Sequence, residues 1–124
     1  MIIVVRAALA TALFSVISPI NSLAANAQEQ FEALKQLNVK FEACAAVAAI
    51  EHNYNPAERH EKNYTFFHKA ALILGERTSI DSSGTEQNIQ KAALTMNQIR
   101  ELSPERFSNA LLNCDKLANA FPQN

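Results

Sequence analysis

Glycine is nearly absent from this chain: Gly75 and Gly84 are the only two in 124 residues. That excludes the Gly-rich loops that cradle phosphates, which need backbone without a Cβ against the ligand. Tryptophan is missing, and cysteine occurs only at Cys44 and Cys114. With the two so far apart there is no Cys-x-x-Cys-His haem attachment, and no His/Cys spacing matches a standard metal motif. Alternating β-branched patterns are absent as well, so no strand is expected. Neither sign of charge dominates, with 11 Lys+Arg against 12 Asp+Glu and a formal net charge of −1. Such a balance gives no electrostatic footprint for nucleic acid or an anionic membrane.

What is present begins with an export pattern. Met1 to Arg6 forms a short, positively charged start, and Ala7 to Ile17 is apolar except for Thr11 and Ser15. Pro19 is expected to break a helix there, and Ala25-Asn26-Ala27 places small residues where a signal peptidase inspects the chain. Residues 1–27 therefore read as a cleavable secretory signal peptide and residues 28–124 as one small domain. The apolar run is short of the roughly 20 residues a membrane span needs, so a cleaved signal is expected, against the alternative of a retained anchor, with no membrane association after cleavage. Arg6 is the only charged side chain in the first 27 residues, which puts the remainder at a formal −2. The expected destination is the periplasm or the exterior.

In that compartment two cysteines with no other candidates read as one disulfide, Cys44–Cys114, against the alternative of two buried thiols. The rest reads as helix. Phe31, Leu34, Leu37, Phe41, Cys44, Ala45, Ala48 and His52 recur at spacings of three and four and predict a helix from about Gln28 to His52. Asn55 as N-cap and Pro56 at the first position predict the next start. Its inward residues are Phe67, Ala70, Ala71 and Leu74, and Gly75 is expected to close it. Glu76 to Gly84 reads as loop. Thr85 or Ser83 is expected to cap a third helix, whose stripe is Ile89, Ala92, Ala93, Met96 and Ile99. Ser103-Pro104 opens a fourth, with Phe107, Ala110, Leu111, Cys114, Leu117, Ala118 and Phe121 on one face and Pro122 as its stop. The fold class predicted is all-α: an antiparallel four-helix bundle with one disulfide joining the first helix to the fourth.

Three groups of residues stand out as candidate sites. Val39, Ala43, Ala46 and Ile50 form a second apolar row on the first helix, about opposite the Phe41 stripe. Either that helix is central and wrapped by the others, or the row is an oligomer face for a homodimer or a partner helix. His52, His60 and His68, the only histidines, surround the first inter-helix turn and form a candidate pH-sensing set, because imidazole titrates near neutrality. Their spacing does not support a metal site; on one helix His60 and His68 lie about 12 Å apart. Tyr54, Arg59, Tyr64, Phe66 and Lys69 cluster around the same turn and form a candidate protein-binding patch, since Tyr and Arg are enriched in interface hot spots. No nucleophile elbow or catalytic constellation accompanies them.

The expectation is a non-enzymatic exported binding protein without cofactor or metal, of inhibitor or immunity type, whose partner is another envelope or secreted protein. The alternative is a pH-responsive periplasmic chaperone or stress protein, suggested by the histidines and the apolar first helix.

Overall fold

A computed structural model describes the backbone of residues 11–121 and the side chains of residues 26–121. It contains four helices: α1 Thr11–Tyr54, α2 Glu58–Arg77, α3 Ser82–Leu102 and α4 Pro104–Asn119. The chain divides into two compact units, Met1–Ala33 and Leu34–Asn124. In the first, the described backbone from Thr11 onward is helical. The second is the helical bundle.

Cross-helix pairs give the direction of each helix. Phe41 meets Phe66 and Phe67, whereas His52, near the other end of α1, meets Ala57 and Glu61, so α1 and α2 run antiparallel. Glu42 bonds Asn88 and Tyr54 stacks under Arg100; both numbers rise together, so α1 and α3 are parallel. Cys44 joins Cys114 and Phe41 packs on Phe121, which sets α4 antiparallel to α1. The topology is up-down-up-down, and the disulfide links α1 and α4 with a Cα–Cα separation of 5.4 Å.

The core is built on α1. From Phe41 to Ile50 every side chain is buried except Ala43 and Ala49, which are half-buried. Apart from Glu42 this stretch is apolar nearly all round, and such a helix has to be wrapped by its neighbours; its alanines let them approach closely. Phe67, Ala71 and Leu74 of α2, Ile89 of α3, and Phe107, Cys114 and Ala118 of α4 close around it. Fully burying one such side chain as large as Phe67 stabilises by about 1.5–3 kcal/mol. At one end Phe41, Phe66, Phe67 and Phe121 form an aromatic cluster with ring centroids 5.2–6.0 Å apart. Each edge-on or tilted pair adds about 0.5–1.5 kcal/mol beyond its buried area.

Several boundaries differ from the sequence expectation. The backbone of α1 continues through Pro19, because a proline inside a helix removes one hydrogen bond and bends the axis without having to end it. The charged start and the first part of the apolar run, residues 1–10, lie outside the described residues, as does Pro122. Helix α2 does not begin at Asn55-Pro56 but at Glu58, with Ala57 in extended backbone as its N-cap. Asn55 is used backwards: its N–H reaches the Glu51 carbonyl at 2.7 Å and its Nδ2 donates to Glu51 Oε2 at 2.8 Å. It ends α1 instead of starting α2.

Gly75 does not close α2 either. The helix runs on to Arg77, and Ser79 takes the left-handed position with φ 67°. Ile80 N–H then bonds the Gly75 carbonyl at 2.8 Å and Ser79 N–H the Glu76 carbonyl at 3.3 Å, the two bonds of a Schellman ending. The expected nine-residue loop shrinks accordingly, since α3 already starts at Ser82. Its cap is Asp81 rather than Ser83 or Thr85, with the carboxylate accepting from Gly84 N–H at 2.7 Å. Thr85 is instead fully buried against α2. Ser103 and Pro104 open α4 as expected, and Ser103 also serves as the C-cap of α3. Phe121 lies past the end of α4 but still packs on Phe41 and Phe66.

Candidate functional site

Helices α1, α3 and α4 enclose a valley with two cavities along it. The first, about 440 Å³, lies beside the disulfide and is walled by Ala43 and Val47 of α1, Met96 of α3, and Ala110 and Leu117 of α4, with Lys40 and Asn113 as its polar members. Its position follows from the choice of side chains. Ala43 and Ala110 are too short to fill the space between helices whose spacing the Cys44–Cys114 bridge helps to fix. One turn before Ala43, Val39 is 62% exposed.

One turn further along each helix the lining changes from apolar to polar. The second cavity, about 360 Å³, is bounded by Glu51 and Asn55 of α1, Arg100 of α3, and Pro104, Phe107 and Ser108 of α4. The Arg100 guanidinium lies 3.5 Å from the centroid of the Tyr54 ring and 5.7 Å from that of Phe107. Stacking on a ring face is a favourable place for a planar cation and fixes its orientation.

The sequence-predicted residues fall in separate places. Of the apolar row on α1, Ala46 and Ile50 are in the core, Ala43 lines the first cavity, and only Val39 is well exposed. The four therefore do not form one open face. The aromatic and basic group is dispersed over the bundle. Tyr54 lies beneath Arg100, Phe66 belongs to the phenylalanine cluster, and Tyr64 stacks flat on His68 with centroids 5.3 Å apart. Arg59 pairs loosely with Asp115 at 3.7 Å, while Lys69 is exposed.

The histidines are dispersed too. His52 places Nδ1 between the Ala57 N–H, 3.3 Å away, and the Ala57 carbonyl, 3.1 Å away, so its tautomer decides which of the two it bonds. His60 is buried, with no hydrogen-bond partner for Nδ1 among the described residues. His68 Nε2 lies 2.7 Å from Glu86 Oε1, joining α2 to α3. Among the described residues no group of His, Cys, Asp and Glu is arranged to hold a metal ion.

A buried polar layer between α1 and α3 was not foreseen. Glu42 is buried, accepts a hydrogen bond from Asn88 Nδ2 at 3.0 Å, and loss of hydration pushes its carboxyl above the usual value of 4.5, partly offset by that bond. Asn38, one turn earlier on α1, and Thr85, one turn earlier on α3, are also buried; Asn38 Oδ1 and Thr85 Oγ1 have no partner among the described residues. Arg100 was missed as well. Its signal, an arginine at the end of the α3 stripe, has meaning only once Tyr54 and Phe107 are seen to converge on it.

Comparison with family models, with curated proteins and with solved structures finds no match for this chain. Among the described residues no helix is long and apolar enough to cross a membrane, and the formed disulfide is of the kind that persists in oxidising compartments.

Proposed function

We propose that this chain is an exported, non-enzymatic binding protein of the periplasm, of inhibitor or immunity type, which holds another protein against the valley between α1, α3 and α4. The observation that carries this reading is the apolar cavity beside the disulfide, continued by exposed Val39. Both cysteines in its wall are committed to each other and so offer no nucleophile. The bridge also holds two walls of the valley in place before a partner arrives, which lowers the ordering cost of association.

The test compares two charged variants. Ala43→Glu puts a carboxylate into the valley at a half-buried position, whereas Leu102→Glu changes a residue on α3 that is almost fully exposed. A partner recovered from the cell envelope with the parent protein should be lost with Ala43→Glu and kept with Leu102→Glu. Equal recovery with both variants would remove the valley as the binding surface.

A second reading, a pH-responsive chaperone, is favoured by one observation: Glu42 is a buried carboxylate in the α1–α3 interface whose protonation is made easier by burial. Suppression of a client's aggregation that appears only in acid, and is altered in Glu42→Gln, would favour this reading over the first.

A further inference from the structure

We infer that the polar cavity at the end of the valley is a binding site for a carboxylate with a neighbouring N–H donor, and that Arg100 is the group that recognises it. Arg100 is half-buried and its guanidinium is stacked over Tyr54. That contact uses the face of the cation and leaves the in-plane N–H donors unused. Among the described residues no ion pair or hydrogen bond engages them. A cation held in one plane with its donors unspent suits the two oxygens of a carboxylate, which it can receive as a bidentate pair.

The opposite wall adds the second half of the chemistry. Glu51 lines the same cavity yet is not within ion-pair distance of Arg100, and its Oε2 is steadied by Asn55 Nδ2 at 2.8 Å. The cavity thus has a fixed donor on one side and a fixed acceptor on the other, with about 360 Å³ between them. A carboxylate on Arg100 and a nearby ammonium or amide N–H on Glu51 satisfy both walls. The Ser108 hydroxyl lies on the same lining and supplies a further donor. Two sources present this chemistry: a free α-amino acid, or the C-terminal residue of a polypeptide. The inference stands on these residues alone and does not depend on what occupies the apolar cavity.

The test is a titration of the purified, disulfide-oxidised protein followed by two-dimensional NMR at the Arg100 Nε–H and the Ser108 backbone amide. The probes are L-alanine, N-acetyl-L-alanine, L-alaninamide, and an acetylated tetra-alanine peptide with either a free or an amidated C-terminus. Probes with a carboxylate should give saturable shifts at both positions, and the two amides should not. Arg100→Gln should weaken the carboxylate probes by about tenfold or more, and Arg100→Lys should recover only part of that loss. Tightest binding by L-alanine identifies a free amino acid, with Glu51→Gln then weakening it most; tightest binding by the free-acid peptide identifies a polypeptide C-terminus. If the amides bind as well as the acids, if no probe saturates, or if a folded Arg100→Gln binds undiminished, the inference is overturned. Should Arg100→Gln fail to fold, the comparison of acid with amide probes on the parent protein and on Ser108→Ala still decides it.

Discussion

The hydroxyl oxygen of Thr85 stands 2.5 Å from the point where a β-carbon on Gly75 would lie. Helices α2 and α3 are therefore as close there as a missing side chain allows. Gly75→Ala gains about 1 kcal/mol of helix propensity, but it drives a methyl group into a fully buried threonine and to 3.2 Å from the Ile80 carbonyl. Overpacking of this kind costs about 1–3 kcal/mol, so a net loss of stability is expected in urea denaturation. Thr85→Ala opens the space, and the double variant should recover much of the loss, a coupling that a double-mutant cycle measures directly. A Gly75→Ala protein more stable than its parent would show that the two helices separate freely.

Ala46 and Val39 lie on one row of α1 but in opposite surroundings, 0% and 62% exposed. Ala46→Glu would bury an unpaired carboxylate among Phe67-type core residues at a cost of several kcal/mol, a large part of the roughly 5–15 kcal/mol that holds a small domain folded. Circular dichroism should find it unfolded or close to it. Val39→Glu should leave both the spectrum and the melting temperature nearly unchanged.

Glu42 gives the pH dependence a definite sign. Its folded pKa is raised by burial, so between the ordinary value of 4.5 and the raised one the folded state holds more protons than the unfolded state. The contribution of this group is fully present below about 4.5 and is lost as pH rises through the folded value. Glu42→Gln keeps an oxygen that can accept from Asn88 and removes the charge. It should be more stable than the parent near neutral pH, and the difference should vanish in acid below 4.5. Parallel stability–pH curves for the two proteins would contradict this.

Which parts of the fold could be read from the chain follows from the range of the forces involved. The inward stripes of α2, α3 and α4 were legible because helical periodicity is local: Phe67, Ile89 and Phe107 each lie three or four residues from another apolar side chain. The bridge was legible by elimination, and Ser103-Pro104 because a proline fits the first turn of a helix, where its missing N–H costs nothing. Ends were harder wherever two groups compete. Asn55 can cap forward or close α1 backward, and its bond to Glu51 goes backward. Gly75 carries the signature of a helix end, yet its missing side chain serves the approach of Thr85, ten residues away in sequence. The candidate site was largely illegible. Arg100 acquires its role from Tyr54 and Phe107, on two other helices, and the dispersal of Tyr64, Phe66 and Arg59 reflects the steps of about 100° between successive residues of α2.

The Cys44–Cys114 bridge closes a loop with a sequence separation of 70, and crosslinks of that reach stabilise by about 2–4 kcal/mol. Cys114→Ser should lower the melting temperature, and the parent under reducing conditions should fall toward the same value. Alkylation of unreduced, denatured protein should label neither cysteine.

The same loop has a consequence for how the molecule breaks. Helices α2 and α3, with every turn that joins them to their neighbours, lie inside a covalent ring. A protease that cuts once at the exposed Pro56, or at Ser79 between α2 and α3, opens the ring without freeing any part of it. The nicked protein runs as one species until a reductant is added and then separates into two. In an environment rich in proteases, damage to the surface of this bundle is thereby decoupled from loss of its pieces.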